Sequence, residues 1–466
     1  MPAHVPSSSA LRRDLGRVEA YAVLIGILVG AGIFKVTSDA SESTGPSVIL
    51  GHLLLAPAVL ASSVAYVVFL STSLGREPGG EALHIARTFG RPRVAFVCGW
   101  LKLISYTGAG AYLADALAVN LIELARPGDP PAVWVQRLLG MAALTFFFAV
   151  HYRGVRWFGK LQVGMCLVLG VAIVVLVVPG LFAVQRKNFS PFFTGGVGGF
   201  AISLPPLFFA YAGFEALAQT AGEVRDSSCV LPRVFFRGIL ATTLIFLAMS
   251  IVAFGVLPAE VLAESKVPMS LAAAEYLPFG ASAVVTVGAI MAVATSLNAT
   301  MLVPARLAWN MAREGLVPRA FGTVHASHGT PVVGLGVTFA AMAALLLSGQ
   351  LALALGIAVV SLVLLYLLHS IALLALPRCN PELYAQVSVT IPRGVQVAAG
   401  WLSVLAMGTI VVVQFRGDLA IMLGEPWMPR VRDLDLTSLE LLVAWGMVGA
   451  LAMYIGKPRK GRTQDG

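Results

Sequence analysis

The sequence predicts an all-α membrane protein with about twelve transmembrane helices, and three observations predict it. Its 466 residues are 58% hydrophobic and only 12% charged, about half the charged fraction of an ordinary soluble domain, and the mean hydropathy is +0.85. Apolar stretches of about 20 residues, enough to cross a ~30 Å hydrocarbon core as helix, recur along the whole chain. Lysine and arginine gather at alternate gaps between those stretches, which is how orientation in a membrane is encoded.

Apolar runs separated by charge, Gly/Pro and polar clusters give helices near 20–40, 46–71, 94–124, 132–150 and 158–184. Five more follow near 198–220, 233–256, 270–304, 331–349 and 351–376, and two last ones near 394–415 and 437–456. Residues 1–19 read as a tail rather than a signal peptide, because no apolar core with a small-residue cleavage site stands ahead of the first span. Residues 457–466 form a second tail, and an even number of spans puts both tails on one side. With the N-terminus in the cytoplasm, 22 of the Lys and Arg residues fall on that side and nine on the other, Lys102 lying inside a span. The positive-inside rule therefore places both termini in the cytoplasm of a cell membrane. The net charge of +9 is scattered beside the spans, which sets nucleic acid aside as a partner. Cys98 and Cys166 fall in spans, and Cys229 and Cys379 in loops on the cytoplasmic side, so no disulfide framework is suggested.

Two spans carry interruptions at mid-membrane depth. The first reads YAVLIGILVGAGIFKVTSDA, with Gly26, Gly30 and Gly32 at its middle; the sixth reads FAISLPPLFFAYAGFEALAQTAGEV, with Pro205-Pro206 and then Ala212-Gly213. Free backbone polar groups cost several kcal/mol in hydrocarbon, so such breaks persist where the backbone lines a cavity or binds something. Glycine in one span alone more often serves close helix packing. Here each break occupies the first helix of a five-helix block, 20–184 and 198–376, leaving 394–456 as two additional helices. Paired interruptions in corresponding halves point to a binding site at a repeat interface. A half-helix N-terminus offers amide donors to an anion, and a half-helix C-terminus offers carbonyls to a cation; an amino acid carries both groups.

The residues at these breaks are similar to the amino acid/polyamine/organocation superfamily of permeases. The resemblance is carried by Gly30-Ala31-Gly32-Ile33-Phe34, by Phe209-Ala210-Tyr211-Ala212-Gly213-Phe214-Glu215 with Gly222-Glu223-Val224-Arg225-Asp226 and Leu231-Pro232-Arg233, and by Pro304-Ala305-Arg306 through Met311-Ala312-Arg313-Glu314-Gly315-Leu316-Val317-Pro318 with Thr330-Pro331. It implies the LeuT-type fold, an inverted repeat of five plus five helices with two more at the C-terminus. It also implies a substrate carboxylate on the amides of Ala31, Gly32 and Ile33, and an ammonium against carbonyls near Leu28, Val29 and Phe209 to Ala212, beside Gly213. Side chains of the third, eighth and tenth spans would shape the pocket, with Thr107, Asn298 and Ser361 as candidates. Some proton-coupled members carry a lysine deep in the fifth helix; the matching position here falls near Leu169, so a built-in cation is not expected. In sodium-coupled relatives carbonyls of the first helix and hydroxyls of the eighth hold the ion, positions that Gly26, Val29, Thr295 and Ser296 occupy here.

Ionisable groups inside membrane segments are rare and functional by default. Glu215 directly follows the second break and is a candidate for proton coupling or gating, with a structural carboxylate bonded to unwound backbone as the equal alternative. Lys102 stands nine residues past Arg93 and is expected to snorkel to the cytoplasmic surface; His52 and His369 have no partner that the sequence supplies. There is no HExxH, GxSxG or Walker loop and no cofactor or metal motif, which argues against an enzyme, and two non-identical halves argue against a channel built of repeated filter residues. The expectation is alternating-access transport of a small amino acid or amine, neutral rather than cationic because Thr107, Gly108, Ala109, Ala212 and Gly213 are small or apolar. Proton-coupled symport or exchange is favoured over sodium; a polyamine carrier, a sodium symporter and a non-transporting substrate sensor are the alternatives.

Overall fold

The computed structural model describes residues 13–30, 33–34, 43–126, 132–265, 267–278, 281–423 and 437–455. Among them all regular structure is helical: α1 (Arg17–Val29), α2 (Val48–Leu70), α3 (Gly80–Phe89), α4 (Pro92–Ala125), α5 (Val133–Tyr152), α6 (Val155–Ala183), α7 (Gly196–Phe209), α8 (Ala216–Gln219) and α9 (Ser227–Val256). There follow α10 (Ala259–Glu264), α11 (Pro268–Ala274), α12 (Ala281–Arg313), α13 (Val332–Ser348), α14 (Leu351–Cys379), α15 (Pro381–Tyr384), α16 (Arg393–Leu423) and α17 (Ser438–Ile455). Eight of these (α2, α4, α5, α6, α9, α12, α14 and α16) are long and apolar enough to cross a membrane, and α7, α13 and α17 are shorter apolar helices. With α1, which stops partway through its apolar stretch, they make the twelve spans read from hydropathy.

Several boundaries differ from the hydropathy reading, α9 starting at Ser227 and α16 running on to Leu423, and two differences have local reasons. The apolar run 270–304 is two helices, α11 and α12, separated around Leu277-Pro278, where a proline deprives the helix of a donor. α12 then continues past Pro304 to Arg313. The N-terminal tail is not free from residue 15 onward: Leu15 pairs with Val224, its amide donating to Glu223 O at 3.0 Å and its carbonyl accepting from Arg225 N at 2.9 Å. Cys229 and Cys379 lie in the first turn of α9 and at the end of α14 rather than in loops, and all four cysteines are free.

α4 is the axis of the bundle, packed along much of its length against α12 and α14, while α2 packs on α9 and α16. Large apolar side chains on α5, α6 and α16 point outward; Trp134, Leu167 and Leu405 are each about two-thirds exposed and Phe182 is 90% exposed. A surface of that kind is stable only against lipid, since a soluble monomer rarely shows apolar patches of more than a few hundred Å².

Candidate functional site

α1 stops at Val29 because Gly30, with ψ −128°, leaves helical backbone. A side chain is not tolerated there: a Cβ would collide with Ser296 Oγ and sit 2.8 Å from the Ala292 carbonyl oxygen on α12. Ala31 and Gly32 lie outside the described residues; the chain returns at Ile33 and Phe34, both buried, as are Leu28 and Val29. In the sixth span α7 runs through Pro205-Pro206 to Phe209 without ending, so the prolines do not make the break. The turn Ala210–Glu215 makes it, and α8 resumes at Ala216. Gly213 has φ +105°, a conformation open to glycine and strained for any L side chain. Its Cβ position would lie 2.8 Å from Ile27 Cγ1, so the second break packs against the last turn of α1.

Glu215 closes the second break. One of its oxygens accepts from Tyr106 Oη of α4 at 2.6 Å, and the other from the Gly213 amide at 3.0 Å and from Tyr366 Oη of α14. All three partners donate, and the carboxyl is fully buried, so the side chain satisfies backbone freed by the break and ties it to two long spans. Tyr211 is turned the other way, its hydroxyl donating to His52 O at 3.3 Å and its ring meeting His52 and Phe246 edge-on.

The carbonyls at the end of α1 are answered from α12. Thr295 Oγ1 donates to Gly26 O at 2.8 Å, and Ser296 Oγ to Ile27 O at 3.0 Å with a longer approach to Gly26 O at 3.4 Å. Gln162 of α6 bridges both helices, Nε2 donating to Ala22 O and Thr295 O at 3.2 Å each, and Asn298 Nδ2 fixes its amide by donating to Gln162 Oε1 at 2.7 Å. Of the four candidate ion-site residues, Gly26, Thr295 and Ser296 are therefore joined directly, and Val29 is buried one turn away.

The three side chains expected to shape the pocket go to different places. Asn298 is buried against Gln162 and Ser361 is buried in α14. Thr107 donates to Leu103 O of its own helix at 2.7 Å and lines a separate cavity beside α13. Phe209 ends α7.

Lys102 does not snorkel. Its ammonium is fully buried and donates to Glu81 Oε1 of α3 at 2.5 Å, because α3 folds back against α4 and α14 and presents Glu81 to the interior. One turn on, His84 Nδ1 meets His369 Nε2 of α14 at 3.0 Å, the imidazoles stacked beside Phe69 and against Tyr66. Burial pushes His84 down to about 3, with the Lys102 charge adding to the effect. Beyond α8, Arg306 of α12 donates to both oxygens of Glu223 at 3.3 and 3.4 Å, while burial pushes the Glu223 carboxyl up against that pairing. Sequence reasoning missed Tyr106, Tyr366, Gln162, Glu81 and His84. The signal for the last two was there: they stand three residues apart on an amphipathic stretch, on one face of a helix.

Comparison with known proteins agrees with this architecture. The family model described as amino acid permease matches residues 15–438. The chain is 28% identical over 399 residues to the methylthioribose transporter of Bacillus subtilis (strain 168), covering 82% of this chain and 85% of that protein. It is 24% identical over 428 residues to the branched-chain amino acid permease BcaP of the same organism, covering 87% and 90%. It is also 24% identical over 475 residues to the human Asc-type amino acid transporter 1, covering 97% and 90%.

Proposed function

From the premise that this chain belongs to the amino acid permease family, within the amino acid/polyamine/organocation superfamily, we propose that it carries a neutral amino acid across a cell membrane by alternating access. The observation that carries the reading is the packing of Gly213 in the second break against Ile27 in the last turn of α1, where α12 donates to the Gly26 and Ile27 carbonyls and the Gly213 amide donates to Glu215. In this reading the amides following Gly30, at Ala31, Gly32 and Ile33, take the substrate carboxylate. Carbonyls near Leu28, Val29 and Phe209 to Ala212 take the ammonium, as opposed half-helix ends do. The small and apolar character of Ala210, Ala212 and Gly213 supports a neutral side chain.

The two five-helix blocks 20–184 and 198–376 would move against each other, with both termini in the cytoplasm as the Lys and Arg distribution argues. Coupling to a proton gradient, or exchange, is favoured over sodium. Support comes from the hydroxyls of Thr295 and Ser296, which donate to the α1 carbonyls, and from the Gln162 amide lying between the same helices. Glu215 is the carboxyl at the break and the candidate proton site.

The test is uptake of radiolabelled amino acids and amines by the purified protein in liposomes, with pH and sodium gradients imposed separately and Gly213→Val as the blocked control. Saturable uptake of a neutral amino acid, driven by the pH gradient or by internal substrate and lost in the control, is the expected result. A sodium requirement would overturn the coupling assignment, and binding without flux would make the protein a sensor.

A further inference from the structure

A cavity of about 740 Å³ opens on the outer side of the bundle, away from both breaks. It lies at the end of the molecule that carries α3, where Arg87 pairs with Glu314 just past α12 at 2.7 Å, and where the N-terminal segment joins Val224. Its walls come from α4, α12, α13, α17 and the segment that follows α12, so it is a pocket enclosed on several sides rather than a flat helix face. Its volume is in the range of pockets that hold a small ligand.

The lining is apolar for definite reasons. Trp100 and Trp445 form one wall, stacked with centroids 4.4 Å apart. Each indole N–H donates to the backbone carbonyl of the other residue at 2.9 Å, so the polar handles of both rings are used and only their hydrocarbon faces the cavity. The hydroxyls of Thr107 and Thr338 bond back to their own helices, to Leu103 O at 2.7 Å and Gly334 O at 2.8 Å. No free polar group is left among these four for a zwitterion, whose charges are costly to bury without partners. One charged residue lines the cavity, Arg319, and it is exposed in the turn Arg319–Gly322. The rim at Val337 is apolar and 53% exposed, as expected where a bundle faces acyl chains.

Hydrocarbon walls, a cation at the edge and an opening on the lipid-facing surface fit one chemistry: an acyl chain attached to an anionic headgroup. We propose that this cavity holds one chain of an anionic phospholipid from the bilayer leaflet on the side of α3, with the lipid phosphate against Arg319. Basic pockets between membrane helices recognise anionic headgroups in this way. The occupant packs between α4, α13 and α17, so it acts on the stability of the transporter and not on its substrate chemistry.

The experiment is native mass spectrometry and thermal melting of the purified full chain in detergent, titrated with dioleoyl phosphatidylglycerol or dioleoyl phosphatidylcholine. The proteins compared are wild type, Val337→Trp, which fills the cavity from a half-exposed position, and Arg319→Gln, a surface change that leaves the fold unstrained. The expected result is one retained phosphatidylglycerol per wild-type monomer with a raised melting temperature, and weaker retention of phosphatidylcholine. Arg319→Gln should bring the two lipids to equal retention, and Val337→Trp should abolish the adduct. Equal retention of both lipids by wild type, or an adduct that survives in both variants, would overturn the proposal. So would a dimer that Val337→Trp dissociates without changing the lipid adduct, which would make a second copy the occupant.

Discussion

Lys102 and Glu81 stand 21 residues apart in sequence and form an ion pair at 2.5 Å with both side chains fully buried. The pair fastens α3, a helix outside the spans, onto α4, the axis of the bundle. Attraction inside protein offsets the desolvation of two charges only when the geometry is good, whereas removing one partner strands the other. Lys102→Met or Glu81→Gln alone should each lower stability by about 3 to 5 kcal/mol, and Glu81→Gln with Lys102→Met should recover much of that loss. Melting of the four proteins in one detergent closes the cycle; additive losses would show that the two groups do not depend on each other.

The Glu215 carboxyl gathers three donors from three segments. Glu215→Gln puts an amide donor against groups that already donate and should abolish uptake in liposomes while the protein still purifies. Tyr106→Phe removes a single donor and should cost roughly 1 to 3 kcal/mol, read as a lower melting temperature. If Glu215→Gln transports at the wild-type rate, the carboxylate is neither a proton site nor a brace for the break.

At Gly213 the strain is conformational as well as steric. Gly213→Ala places a Cβ at φ +105°, 2.8 Å from Ile27 Cγ1, and left-handed backbone costs an L residue about 1 to 2 kcal/mol by itself. Substrate affinity should fall more than expression does. Ile27→Ala in the same protein should recover part of the affinity by making room, which equilibrium binding of labelled substrate would detect.

His84 is buried as a neutral ring, with His369, Lys102, Tyr66 and Phe69 around it and Glu81 on its own helix. Its proton affinity is pushed from 6.5 to about 3 by folding, so the unfolded chain binds a proton that the folded one does not. The stability this contributes is present above pH 6.5 and is lost as pH falls from 6.5 toward 3. Melting temperature should therefore drop on acidification through that window, and His84→Gln should flatten the drop; an unchanged profile in that variant would assign it to other groups.

Between α1 and α12 the bridging donors are neutral. Replacing sodium by choline should leave initial uptake rates unchanged, and Gln162→Leu should lower transport by removing the donor shared by Ala22 and Thr295. Sodium-dependent rates in wild type would mean that the hydroxyls of Thr295 and Ser296 turn their oxygens toward an ion during the cycle.

How much of this was legible in the residue string depends on the range of the interaction concerned. Gly30 and Gly213 could be picked out because a helix break is a local property, set by residues that lack a Cβ. The prolines at 205 and 206 misled for the complementary reason: neighbouring helices in a membrane can re-satisfy the backbone that proline frees, and sequence does not show the neighbours. Thr107 looked like a pocket residue by its place on the third span, yet its rotation about α4 turns it toward α13.

By itself the sequence determined the solvent, the number of spans and the two points where helix gives way, since hydropathy, length and glycine placement act within about one helix of chain. Only the tertiary structure decided the partners. It set Lys102 against Glu81 rather than the surface, joined His84 to His369 across 285 residues, and brought Tyr106 and Tyr366 to one carboxylate. A buried polar group must find its complement wherever packing brings one, and packing is a property of the assembled bundle that no local pattern encodes.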